Sequence, residues 1–251
     1  MENRVAEPPR SPTPILSGEV VTLSGAADIT VCVYSVKDGH GRRTLTQFKV
    51  QRDALTLNSK FFTATLRFNS THNGGRSGRV ELKDDDIGAM HVWLLYMQAA
   101  YESERARTEM RQSAEEQEEN CPSKRSKIND DYNTGNEDAL FQRKGVANTG
   151  IARIWYIINA ADKYLLDASI LQGFFDNWYR KNVDITQMKH DFARQLALPC
   201  YMFDHAEGFA EVTKWLAYNF AGHITEKRPV GFRWKHIRLT PPDFVRTHNR
   251  R

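Results

Sequence analysis

Between Glu102 and Asn148 the apolar patterning of this chain stops, and it resumes on the far side. That interruption constrains the fold more than any single motif does. A core must be assembled from two pieces separated in sequence, one ending near Tyr101 and one beginning at Ile151. Inside the gap, Glu115-Glu116 and Glu118-Glu119 are acidic, and Lys124-Arg125-Ser126-Lys127 is basic. Such a stretch cannot bury enough apolar surface to offset an ordering cost of about 1–2 kcal/mol per residue. Residues 102–148 are therefore expected to form a disordered, charged insert, whose first part can prolong the preceding helix on its exposed side.

The first piece opens with a β pattern. Ile29, Val31 and Val33 alternate with Thr30, Cys32 and Tyr34, the period of a strand. Lys37 to Arg42 holds two glycines and reads as a turn. Thr46, Phe48 and Val50 then share one face of a second strand, which makes a hairpin. Arg52 to Leu57 is expected to be a short helix. Ser59 supplies an N-cap for another, from Lys60 to Arg67, with Phe61, Phe62 and Leu66 on its apolar side. Val80 and Leu82 mark a brief inward-facing strand at Arg79–Lys83. Asp84-Asp85-Asp86 follows, placed to cap a helix over Ile87 to Tyr101.

The second piece is helical throughout. Ile151, Ile154, Trp155, Ile158, Ala161 and Leu165 form one stripe, and Ile170, Phe174, Phe175 and Trp178 form another. A third helix is expected over Asp184 to Leu196 and, after Pro199, a fourth over Glu207 to Phe220, with Gly222 placed to end it. Residues 1–24 are interrupted by Pro and Gly and are expected to be a disordered lead. The fold class is thus α+β: a small sheet covered by a cluster of helices, then a helical extension and basic tail over residues 181–251.

Composition excludes several functions. The 35 basic and 31 acidic residues leave a net charge of +4, too balanced for nucleic-acid binding by the whole chain. The three cysteines, Cys32, Cys121 and Cys200, form no C-x-x-C pair and are expected to be reduced thiols. No leader-like apolar segment precedes residue 15, and no run reaches the roughly 18 apolar residues of a spanning helix. The expectation is an intracellular protein of the cytoplasm, the nucleus or both, with no membrane partner.

Catalytic and cofactor signatures are missing from the sequence. It contains no phosphate-binding glycine motif, no H-E-x-x-H and no G-x-S-x-G. Cys200 and His205 are two ligand types where zinc needs three or four. Three consecutive aspartates cannot all point at one metal centre. No catalytic, cofactor-binding or metal-binding residue is assigned, and no cofactor is expected.

Two basic patches carry alternatives. Lys124, Arg125 and Lys127 resemble a short nuclear-import signal, against the plain reading of a solvated loop. The tail, with Lys227-Arg228, Arg233-Trp-Lys-His236 and Arg246 to Arg251, mixes cations with rings. It can contact nucleic acid through a chromatin-associated role, or dock on the domain by its stems and rings. Docking is the stronger reading, because no nucleic-acid-reading element is recognisable.

Particular residues carry a family resemblance. Asp28-Ile-Thr-Val opens the first strand. Phe48-Lys-Val-Gln-Arg-Asp-Ala-Leu55 leads to Ser59-Lys-Phe-Phe62, and Val80-Glu-Leu-Lys-Asp-Asp-Asp86 precedes Trp93-Leu-Leu-Tyr96. Ile158-Asn-Ala-Ala-Asp-Lys-Tyr-Leu-Leu166 completes the set. These runs resemble the BTB/POZ domain, in its fungal form, over residues 27–101 and 151–179, within a domain bounded at 25–180. The fold-defining positions of that resemblance are Asp28, Phe48, Val50, Leu55, Ser59, Phe62, Leu82, Ala161, Asp162, Lys163 and Tyr164. It implies a non-enzymatic protein–protein interaction module, a scaffold or adaptor, with a homodimer partner and cullin-3 among the family's partners. The sequence departs from the family at three places. Gln51 stands where the family often has His. Residues 1–24 lack the helix that dimeric members place before the first strand. The 102–148 insert falls near the surface that meets cullin-3 in the family.

Overall fold

In the computed structural model, which describes residues 15–16, 18–37, 40–72, 78–120, 149–220 and 227–233, the segment before Asp28 is not simply a lead. It contributes two short strands, β1 (Ile15–Leu16) and β2 (Val20–Thr22). Both run parallel to one strand of the hairpin that follows. That hairpin is β3 (Ile29–Ser35) and β4 (Arg43–Val50). Ile15 pairs with Arg43 and Val20 with Gln47, so β1 and β2 lie in succession along the outer edge of β4. Glycine is required between them: a Cβ on Gly18 would sit 1.3 Å from the Leu45 carbonyl oxygen. The disordered lead expected over residues 1–24 is therefore corrected at Ile15–Leu16 and from Gly18 onward, where backbone pairing to β4 is joined by packing of Val21 and Leu23 against the core.

β3 and β4 are antiparallel, with Val31 opposite Phe48. A third long strand, β5 (Arg79–Asp85), pairs parallel to β3 on its other side, giving a mixed sheet. β3 is central, and its burial shows it. Ile29, Val31 and Val33 are inside as their alternation predicts, yet Cys32 and Tyr34 are buried too. A central strand covered on both faces loses the clean inside–outside contrast of a half-exposed one.

Helices α1 (Arg52–Asn58) and α2 (Lys60–His72) connect β4 to β5. Asp28 accepts a 2.7 Å bond from the Arg52 amide, one of the free donors at the start of α1. Ser59 caps α2 by accepting from the Phe62 amide at 3.1 Å, as its position predicts. Phe48, Val50, Leu55, Phe62 and Leu82 all enter the core.

The next helix, α3 (Ile87–Asn120), differs from expectation in its burial. Its first half is buried nearly all round, including Met90, Val92, Trp93, Leu94, Leu95 and Met97, so it is a central helix rather than an amphipathic cover. It runs on past Tyr101, so that the first part of the insert prolongs it, as its sequence allows. Intrahelical pairs such as Arg105–Glu109, at 2.8 Å, and side-chain bonds such as Thr108 to the Glu104 carbonyl hold this projecting part together without a buried face. The remainder of the insert, with Lys124, Arg125 and Lys127, lies outside the described residues. Replacing residues 106–146 with a flexible Gly/Ser linker is expected to change stability by less than about 1 kcal/mol, because loop-closure entropy varies slowly with length. Urea midpoints of the two chains measure this; cooperative unfolding lost on replacement would count against it.

Four α-helices follow: α4 (Ile151–Tyr164), α5 (Gln172–Asn182), α6 (His190–Met202) and α7 (Ala206–Asn219). Pro199 does not separate the last two. It sits inside α6, whose final turn continues to Met202, and Asp204 with φ 52° makes the turn into α7. The helices beyond residue 180 also pack into the core. Ala193, Leu196, Ala197, Cys200, Phe203, Val212 and Leu216 belong to the same core as the sheet and α3. Trp155 on α4 donates its indole N–H to the Gln195 carbonyl on α6, and Phe175 on α5 stacks on Phe203 at 4.7 Å. The helical extension is part of the packed unit, because α4 and α5 are apolar on more faces than the sheet can cover.

Candidate functional site

Three consecutive aspartates take three different roles, and a backbone irregularity decides which. Tyr34 pairs with Lys83 but Ser35 pairs with Asp85, so Asp84 is an extra residue in β5. It adopts φ 62°, in the left-handed region, and its carboxylate meets Arg43 at 2.7 Å. The bulge resets the alternation of the strand and turns Asp85 inward, next in line after Leu82. Asp86 does what its position predicts: it accepts from the Ala89 amide at 2.7 Å and pairs with Arg153 at 3.3 Å.

Asp85 is buried and fully partnered. Lys163 reaches it at 2.8 Å and also donates to the Lys83 carbonyl, and the Tyr164 hydroxyl donates to its second oxygen at 2.5 Å. Tyr164 packs against Phe61 and Phe62, and its own carbonyl accepts from the Ser59 hydroxyl at 2.7 Å. Ser59, Phe62, Lys163 and Tyr164 thus converge, and with Asp85 they tie the two sequence pieces together. Asp162, next to Lys163, is exposed, and Ala161 lies in the core. Asp85 is the member that sequence alone did not single out, since strand alternation points it outward.

Burial raises the Asp85 carboxyl above the usual range, although the bonds from Lys163 and Tyr164 pull it down. The folded protein therefore holds this proton to higher pH than the unfolded chain does. Stability from this group is present at low pH and falls as pH rises from about 3.8 through the folded value. Asp85→Asn should lose that dependence, so the urea midpoint of the variant relative to the native chain rises as pH is raised from about 4. A difference that stays level with pH would remove Asp85 as its source.

Other ionisable groups are likewise held by the fold. Burial raises the Cys32 thiol and pushes that of Cys200 up to about 12, so both stay protonated at neutral pH and are poor nucleophiles. His205 does not face the Cys200 sulfur as a ligand. Its amide donates to the Cys200 carbonyl, and its Nδ1 accepts from the Gly208 amide to cap α7. The His205 ring lies on Tyr179, whose hydroxyl donates to Glu211. Among the described residues, no three His, Cys, Asp or Glu side chains converge as metal ligands.

The surface concavities among the described residues include two beside the elements above. One is a concavity of about 370 Å³ between the β3–β4 end of the sheet and α4, lined by Ser35, Thr44, Asp86, Ile87, Tyr156 and Arg233 among others. The other is a concavity of about 490 Å³ where α5 meets the start of α7, lined by Asp176, Arg180, His205, Glu207 and Glu211 among others. No helix of the described residues is long and apolar enough to cross a membrane. No protein-family model matches this chain, and no curated protein matches its sequence.

Proposed function

We propose that this chain is a non-enzymatic protein–protein interaction module of the BTB/POZ type, serving as a scaffold or adaptor. The observation that carries the reading is the junction of Ser59, Phe62, Asp85, Lys163 and Tyr164. All of its members lie in the segments on which the resemblance rests, and it joins the helix pair, the parallel strand β5 and α4. Asp85, Lys163 and Tyr164 are taken up by that architecture.

Leu165 adds a second support. It follows α4 in the left-handed conformation, φ 49°, and is 59% exposed. Glycine is the usual residue there, since a Cβ costs roughly 1–2 kcal/mol in that region. An exposed leucine at a strained position is useful if a partner covers it. Leu165→Gly is expected to leave stability unchanged or to raise it by up to about 1 kcal/mol, while weakening partner recruitment. Thermal melts beside quantitative affinity capture read both effects, and undiminished recruitment would remove Leu165 from the interface.

The whole reading is tested by light scattering of the purified chain together with affinity capture from a lysate of its native organism. Defined partners or a stable self-assembly are expected; a strict monomer that recruits nothing would overturn it. The resemblance makes the N-terminal domain of cullin-3 the first partner to titrate, and no binding at tens of micromolar would exclude it.

A further inference from the structure

Residues 227–233 lie against α4. The Phe232 amide donates to the Pro229 carbonyl at 3.1 Å, closing a β-turn. Gly231, the third residue of that turn, has φ 91°, which a side chain would oppose. The Tyr156 hydroxyl then binds the turn at two backbone atoms. It donates to the Gly231 carbonyl at 2.9 Å and accepts from the Arg233 amide at 3.0 Å. Phe232 packs edge-on against Trp155 at 5.4 Å and against Tyr156 at 4.9 Å. Arg233 reaches across to the Lys37 carbonyl at 3.4 Å.

This resembles the binding of a short peptide more than the packing of an element. The segment forms no helix or strand, Val230 is 95% exposed, and Phe232 stacks on the α4 rings. Recognition runs through backbone atoms, the Phe232 ring, the buried Pro229 and cations, with Lys227 also meeting Asp191 at 3.8 Å. The concavity of about 370 Å³ that Gly231 and Arg233 help to line is also lined by Ser35, Thr44 and Asp86.

We propose that the Trp155–Tyr156 face of α4 is a peptide-docking site that the chain fills with its own 229–233 turn. Its occupant in trans is a segment of a partner protein with glycine, an aromatic and a basic residue in succession. The tethered turn competes with that partner, so the site opens only to a segment that displaces it. The inference rests on the interaction-module reading but fails separately from it. An adaptor using another face would still assemble with partners while leaving this site unbound.

A fluorescein-labelled peptide with the sequence of residues 227–236 tests the site by anisotropy against full-length protein. Phe232→Ala and Gly231→Val each empty the site from the side of the turn and leave the α4 face intact. Both are expected to bind the peptide more tightly than the native chain. Adding Tyr156→Phe should weaken that binding about tenfold, the loss of a phenol bonded at two backbone atoms. Thermal melts identify a variant that fails to fold, in which case the other carries the test. No binding by either folded variant, equal binding by native and variant chains, or indifference to Tyr156→Phe would overturn the proposal.

Discussion

A chain ending at residue 182 is expected not to fold cooperatively. Truncation removes α6 and α7, and with them Leu196, Leu198, Phe203, Val212 and Leu216, all 3% exposed or less. At roughly 1.5–3 kcal/mol for each fully buried apolar side chain, these contribute on the order of 10 kcal/mol. That is comparable to the whole stability of an ordinary domain, about 5–15 kcal/mol. The cut also exposes what these side chains cover. Phe175 loses Phe203, Trp155 loses the Gln195 carbonyl that accepts its indole N–H, and Tyr179 loses Glu211. Circular dichroism is expected to retain helix signal, while the thermal transition broadens or disappears. A sharp two-state melt in the truncated chain would show instead that the helices beyond residue 182 are a separate unit.

Phe62→Ala is the point substitution with the largest expected effect among the junction residues, a loss of about 3–5 kcal/mol. Phe62 is fully buried and sits against the rings of Phe61 and Tyr164. Its amide is the donor that Ser59 caps, so a cavity there also loosens the start of α2. Leu55→Ala, at an equally buried position, should fall within about 2–5 kcal/mol. Ser59→Ala makes the useful comparison. It removes the cap and leaves the Tyr164 carbonyl without its Ser59 donor, a cost of about 1–3 kcal/mol without a large cavity. Chemical denaturation of the variants side by side measures the order. A Phe62→Ala chain as stable as Ser59→Ala would mean that the ring is not the keystone of the junction.

Most of the individual elements were legible in the sequence because they depend on short-range periodicity. The alternation of Ile29, Val31 and Val33 predicts β3, and the stripe from Ile151 to Leu165 predicts α4, although Leu165 itself lies just past the helix and is exposed rather than on its buried face. Ser59 and Asp86 are readable as caps because capping is a matter of neighbouring residues and their free amides. The exposed continuation of α3 was only partly legible. Polar residues on every side argue against a buried element, and they do not by themselves end a helix that has already begun.

Tertiary structure decided what pattern cannot encode. The parallel pairing of β1 and β2 along β4 is made by backbone groups, and the short apolar runs Ile15-Leu16 and Val20-Val21 do not by themselves specify which strand they pair with. The bulge at Asp84 reverses which aspartate faces inward, and only its fit to Arg43 on one side and Lys163 with Tyr164 on the other selects it. Pro199 reads as a break, but its place near the end of α6 leaves the final turn intact. The gap between Glu102 and Asn148 set the problem of two separate pieces, and that much the sequence determined alone. How they meet, through Ser59 to Tyr164, Asp85 to Lys163, and Trp93 donating to the Ile157 carbonyl, is a matter of contacts between residues more than sixty positions apart. Such contacts arise only when the folded backbone brings the partners into reach.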